Sequence, residues 1–106
     1  MKQWEIWTWD FGFGPHPAVI ISHPDRVQHK PDVNILKCSS ATPARPPERN
    51  EVVLDQADGL NWRTYCACDL IFGVDKSKLR HSRGLVSVER QRQIIRTVVA
   101  SMGWQV

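Results

Sequence analysis

Residues 3–22 read Gln-Trp-Glu-Ile-Trp-Thr-Trp-Asp-Phe-Gly-Phe-Gly-Pro-His-Pro-Ala-Val-Ile-Ile-Ser, and this stretch decides the fold. Up to Phe11 it is dense in aromatic and β-branched residues, types that suit a pleated, half-buried surface. Period two puts Trp7, Trp9 and Phe11 on one face and Trp4, Ile6 and Thr8 on the other, so both faces of this strand are partly covered. Gly12-Phe13-Gly14-Pro15 breaks the strand. From Pro17 to Ser22 an apolar run follows with proline in its first position, where a missing N–H matters least. Together the two runs predict an antiparallel hairpin turned by the glycines.

Further along, His23 to Pro31 reads as a polar loop and Val33 to Ser39 as a third strand. Three prolines and several charges make Ala41 to Asn50 a surface excursion, after which Glu51-Val52-Val53-Leu54 re-enters the sheet. Asp58-Gly59 marks a turn. Trp62 to Phe72 is then the longest strand-like stretch, with Arg63, Tyr65, Ala67, Asp69 and Ile71 on one face and Trp62, Thr64, Cys66, Cys68 and Leu70 on the other. Asp75 to Leu79 suggests a short helical turn. The C-terminal segment is a helix: Ser87 is an N-cap type, Glu89 lies in the first turn where the macrodipole favours it, and Gly103 supplies the stop. Val88, Ile94, Ile95, Val98, Val99 and Met102 fall within about 140° of its wheel. The expected fold is mostly β (α+β), a small antiparallel β-barrel with this helix packed on it, formed by residues 1–106 as a single domain. Trp7, Val19 and Ile21 should share one core with Ile95, Val98 and Val99.

The composition, 42% apolar and 24% charged with five Trp, belongs to a folded and not a disordered chain. Its longest aliphatic run, Ala18 to Ile21, is far short of the ~20 residues of a membrane helix, and Trp4, Glu5 and Trp7 stand where a secretory segment would be apolar. A soluble cytoplasmic protein without a membrane partner is expected, with Cys38, Cys66 and Cys68 as reduced thiols. Net charge is +3, but the basicity is regional: residues 76–96 carry seven Lys/Arg against Glu89 alone, whereas residues 1–75 carry seven against ten acids. Such a field suits a polyanionic partner, and a solvated helix face explains it equally well. Cys66-x-Cys68 lacks the tight turn of a CxxC knuckle, so neither a metal nor another cofactor is expected. No phosphate-cradling loop, zinc-peptidase helix or nucleophile elbow occurs. What remains is a set of polar residues at strand ends: His16, Ser39, Ser40 and Asp69.

In order, Trp4-Glu5-Ile6-Trp7, His16-Pro17-Ala18-Val19-Ile20-Ile21-Ser22, Cys68-Asp69 with Val74-Asp75-Lys76-Ser77-Lys78-Leu79, and the final helix resemble the MazF/PemK/Kid toxins over nearly the whole chain. The resemblance implies an SH3-like or CcdB-like barrel, a homodimer, metal-free cleavage of single-stranded RNA, and neutralisation by a cognate antitoxin. It also implies site residues. Ser39 matches a family Ser/Thr that contacts the scissile phosphate. Asp69 is the acid of the Cys-Asp pair. His16 stands where the family has an arginine before proline, exchanging a permanently charged clamp for a titratable group. Ala67 stands where several members carry another arginine, and Arg63, six residues from Asp69, would be about 20 Å away along a strand. Metal-free cleavage needs a base for the 2′-hydroxyl, a donor to the leaving 5′-oxygen and support for the phosphorane. Asp69, His16 and Ser39 are the expected holders of these roles, with Phe13, Ser40 and Arg63 as RNA contacts. Two other readings remain: a catalytically decayed nucleic-acid-binding barrel, and a gyrase-binding toxin of the CcdB kind, although the tip Gly103-Trp104-Gln105-Val106 has the wrong order for the latter.

Overall fold

The computed structural model describes residues 1–106. Its strands are β1 (Glu5–Asp10), β2 (Pro15–Ile20), β3 (Asp32–Lys37), β4 (Glu51–Leu54), β5 (Thr64–Ala67), β6 (Phe72–Asp75) and β7 (Arg80–Leu85), and its helices are α1 (Pro24–His29) and α2 (Val88–Met102). Five strands form one antiparallel sheet in the order β6-β3-β2-β1-β7, and β4 pairs with β5 in a second. A bridge between Cys38 and Cys66, and a 3.1 Å bond from the Ser39 N–H to the Tyr65 carbonyl, tie β5 to the end of β3. The expected small antiparallel barrel with a C-terminal helix is realised in this way.

The hairpin of residues 3–22 forms with the predicted alternation, but its second strand runs from Pro15 to Ile20, so Pro15 and His16, expected ahead of the strand, lie within it and Ile21 and Ser22 lie beyond it. Ile6 opposes Val19 and Trp9 opposes His16. Gly12 and Gly14 both take positive φ, and the Gly12 N–H donates to Asp10 Oδ1 at 2.8 Å. The two faces of the large sheet serve different cores. Ile6, Val19, Leu36 and Cys38 pack with Val52, Leu54, Cys66, Val86 and Ile94. On the opposite face Ala18, Ile20, Val33, Ile35 and Val74 pack with Val27 and Leu79, while Trp7, Trp9, Phe11 and Phe72 cover the edge. The single core expected to hold Trp7 and the α2 face is therefore divided, because alternate residues of one strand cannot reach the same side of a sheet. Only Ile94 of α2 is fully buried; Val88 and Ile95 are 59% and 51% exposed.

Three other expectations change. The strand expected over Trp62 to Phe72 ends at Ala67. There the chain leaves the small sheet, exposes Asp69 and Leu70, and re-enters the large one as β6, where Phe72 opposes Ile35 and Val74 opposes Val33. Val74 is buried on β3 in this register. The segment read as a loop after Ser22 contains α1, with Pro24 in its first turn and the Asp25 N–H donating to His23 Nδ1. Finally, β7 carries no apolar alternation because it is an edge strand with its side chains largely exposed. Where β7 passes the turn after β4, a Cβ on Gly84 would stand 2.1 Å from the Asp58 carbonyl oxygen, so only glycine permits the approach. Ser87 precedes α2 as expected, but its hydroxyl makes no cap; its N–H donates instead to Asp58 Oδ1 at 2.9 Å.

Candidate active site

The register of β2 with β3 sets Ala18 opposite Lys37, and the Cys38 N–H donates to the Pro17 carbonyl at 2.8 Å. His16 is two residues before Ala18 on β2 and Ser39 is two residues beyond Lys37, so both candidates, far apart in sequence, lie toward one end of the large sheet. His16 is half-buried. Its ring stands edge-on to Phe11 and Phe13, with centroids 5.8 and 5.6 Å away. Its Nδ1 lies 3.0 Å from the Gly14 carbonyl oxygen. A carbonyl can only accept, so Nδ1 carries the hydrogen and Nε2 is the nitrogen left to exchange a proton.

Ser39 is more constrained than its sequence position suggests. The buried Thr64 hydroxyl donates to the Ser39 carbonyl at 2.6 Å, and the two hydroxyl oxygens lie 2.7 Å apart. With the Thr64 proton so used, Ser39 Oγ–H donates to Thr64, and Ser39 Oγ accepts the Tyr65 N–H at 3.1 Å. A phosphate oxygen must displace that internal bond to receive the Ser39 proton. Ser40, next along, is exposed. Tyr65 itself is buried and is bracketed by the guanidiniums of Arg45 and Arg63, 5.4 and 5.5 Å from its ring. The Arg45 charge is matched by a two-pronged pair with Glu51, at 2.6 and 2.9 Å, which raises the arginine and holds Glu51 below the usual carboxylate range. Arg63 has no such acid and remains exposed.

Asp69 stands apart from this network. It lines a shallow depression with Arg49, Asn50, Ala100 and Ser101, at the C-terminal end of α2, and no hydrogen bond or ion pair joins it to His16 or Ser39. Phe13 is 71% exposed beside His16, where its ring is open to a ligand. Cys38, Cys66 and Cys68 are buried; the Cys66 thiol is pushed up by its hydrogen bond with Cys38, and Cys68 by its bond with Cys66 and by burial. No three His, Cys, Asp or Glu side chains converge as a metal site.

Two features escaped the sequence reading. Lys37 Nζ lies 4.8 Å from the Phe13 ring and 5.8 Å from Phe11, a placement that depends on the hairpin folding over β3. Lys78, Arg80, His81 and Arg83 line a polar depression with Asp10 and Pro15, beside the hairpin turn. Their regional charge was legible, but without an apolar pattern nothing announced the strand that carries them.

Over residues 2–102 the chain matches the family model of the PemK-like, MazF-like toxin of type II toxin-antitoxin system. No curated protein matches it. Among solved structures, a mycobacterial endoribonuclease in complex with its cognate antitoxin superposes with a TM-score of 0.80 at 21% identity, covering 100% of this chain and 96% of the other. The Mycobacterium tuberculosis toxin MazF-mt6 gives 0.82 at 15% identity, covering 96% and 99%. A MazE-MazF structure from Deinococcus radiodurans gives 0.75 at 14%, covering 99% and 97%. At these identities the likeness is one of fold.

Proposed function

The chain belongs to the PemK-like, MazF-like toxins of type II toxin-antitoxin systems, and from that premise we propose that it is a metal-independent endoribonuclease that cuts single-stranded RNA. The observation that carries this reading is His16, fixed through Nδ1 so that Nε2 serves as the exchangeable nitrogen, beside an exposed aromatic ring at one end of the large sheet. In the proposed reaction the ribose 2′-hydroxyl loses its proton to a solvent base, because the expected base Asp69 lies in the separate depression at the end of α2. The 2′-oxygen attacks phosphorus, and the bond to the 5′-oxygen breaks as protonated His16 donates to it. A 2′,3′-cyclic phosphate and a 5′-hydroxyl result, with no water or oxidant consumed. Ser39 supports a non-bridging oxygen once its bond to Thr64 is exchanged for one to phosphate, and Phe13, Ser40 and Arg63 hold the flanking nucleotides.

Incubating purified protein with a mixed-sequence RNA in excess EDTA tests the reading. Fragments ending in a cyclic phosphate are the expected result, and intact RNA overturns it in favour of a decayed barrel or a CcdB-like toxin.

The same reading places the protein in the cytoplasm, as a homodimer neutralised by a cognate antitoxin. No helix is long and apolar enough to cross a membrane. Ile95 and Trp104 line an apolar groove with Trp4, Ile21 and Val98 and are themselves 51% and 56% exposed, a surface that a second copy would cover. Light scattering at tens of micromolar should return about twice the 12.2 kDa chain mass; a monomer mass there removes the dimer.

A further inference from the structure

We infer that Lys37 is the phosphate-binding cation of this site, gripping the RNA backbone beside His16. The inference rests on the ribonuclease reading and adds to it a residue that the family resemblance does not assign.

Three observations converge on Lys37. It ends β3 opposite Ala18, and Ala18 is two residues from His16 on β2, so the Lys37 side chain leaves the face of the sheet that His16 occupies. Phe11 and Phe13 contact both His16 and Lys37, which places the ammonium and the imidazole around one pair of rings. None of the ion pairs of the fold involves Lys37. The attraction of an ammonium for a ring face fixes its position without neutralising its charge, as a carboxylate partner would. A long, rotamer-rich side chain is thereby oriented before any ligand arrives.

The neighbouring groups leave this task open. Ser39 has its proton engaged by Thr64, and Arg45 is matched by Glu51. One step along the ladder from the Cys38–Cys66 bridge, Ala67 lies opposite Lys37. Its side chain is a methyl group and brings no charge to that face. The cation is thus supplied from β3, across the strand pair from His16. A phosphodiester bound at Lys37 would set its adjoining base against Phe13, the stacking and charge combination that holds single strands.

The test compares the parent with Lys37→Met, which keeps the apolar stem against the rings, and Lys37→Arg, which keeps the charge. The probe is a fluorescent 2′-O-methyl RNA, which cannot be cleaved, with affinity followed by anisotropy over a salt series. Lys37→Met should bind about 10-fold more weakly at low salt and flatten the log-affinity against log-salt slope by about 0.7, the value of one lost phosphate contact on a single strand. Lys37→Arg should restore the slope. Cleavage of the ribose form should fall in parallel. If the parent binds and cuts while Lys37→Met shows the parental slope and affinity, the Lys37 assignment is overturned and the ribonuclease reading stands. A parent that neither binds nor cuts overturns the ribonuclease reading, and with it the role of Lys37.

Discussion

His16→Ala should lose at least about 100-fold in RNA cleavage, the lower range of what one positioned proton donor contributes, while the protein melts close to the parental temperature. The side chain is half-buried and makes one hydrogen bond, to the Gly14 carbonyl, so its removal leaves no buried charge and no large cavity. The loss is therefore chemical. His16→Arg separates the two roles the imidazole can play. A guanidinium restores a phosphate ligand but cannot release a proton near neutral pH, so an acid role predicts that arginine fails to rescue. A His16→Ala variant that cuts at the parental rate removes His16 from the mechanism.

Arg90→Met should destabilise the fold by about 3 kcal/mol or more, as breaking one side of a buried ion pair does, and lower Tm by roughly 12 °C or more in a chain of this size. Asp58 is fully buried at the 3₁₀ turn of residues 56–58. Its carboxylate accepts the Asp55 N–H at 3.0 Å, the Ser87 N–H at 2.9 Å and an Arg90 nitrogen at 2.7 Å. It thereby fastens the turn after β4 to the start of α2. Arg90 also reaches both oxygens of Asp55, at 2.7 and 3.2 Å. Removing Arg90 leaves the Asp58 charge in the interior without its counter-ion. The pH dependence has a definite sign. The hydrogen bond from Arg90 holds the Asp55 carboxyl below its ordinary value, so its contribution is complete above the unfolded value of about 3.9 and is lost as pH falls through the lower folded value. The gap in Tm between parent and variant should narrow below about pH 4. A gap that stays constant into acid, or a variant melting within 2 to 3 °C of the parent at neutral pH, would show that this network does not hold the turn.

Local rules in the chain determined the first hairpin, its glycine turn, β4 and the limits of α2, because alternation, proline position and end signals act over a few neighbouring residues. The identity of His16 and Ser39 as site candidates was legible through the resemblance of their flanking segments. Tertiary structure decided where those candidates went. Ser39 and His16 come to the same end of the large sheet only through the β2–β3 register, and the Ser39 hydroxyl is engaged by Thr64, 25 residues on, which no local pattern encodes. Asp69 reads as a strand residue because Trp62 to Phe72 alternates throughout, yet the chain crosses between sheets after Ala67 to pair Phe72 and Val74 with β3, and the crossing leaves Asp69 exposed. Edge strand β7 has no apolar signal at all, since pairing on one side alone leaves its side chains in water. Lys37 took its place in the site for the same reason: a charge on a strand gains direction only from the rings that folding sets beside it.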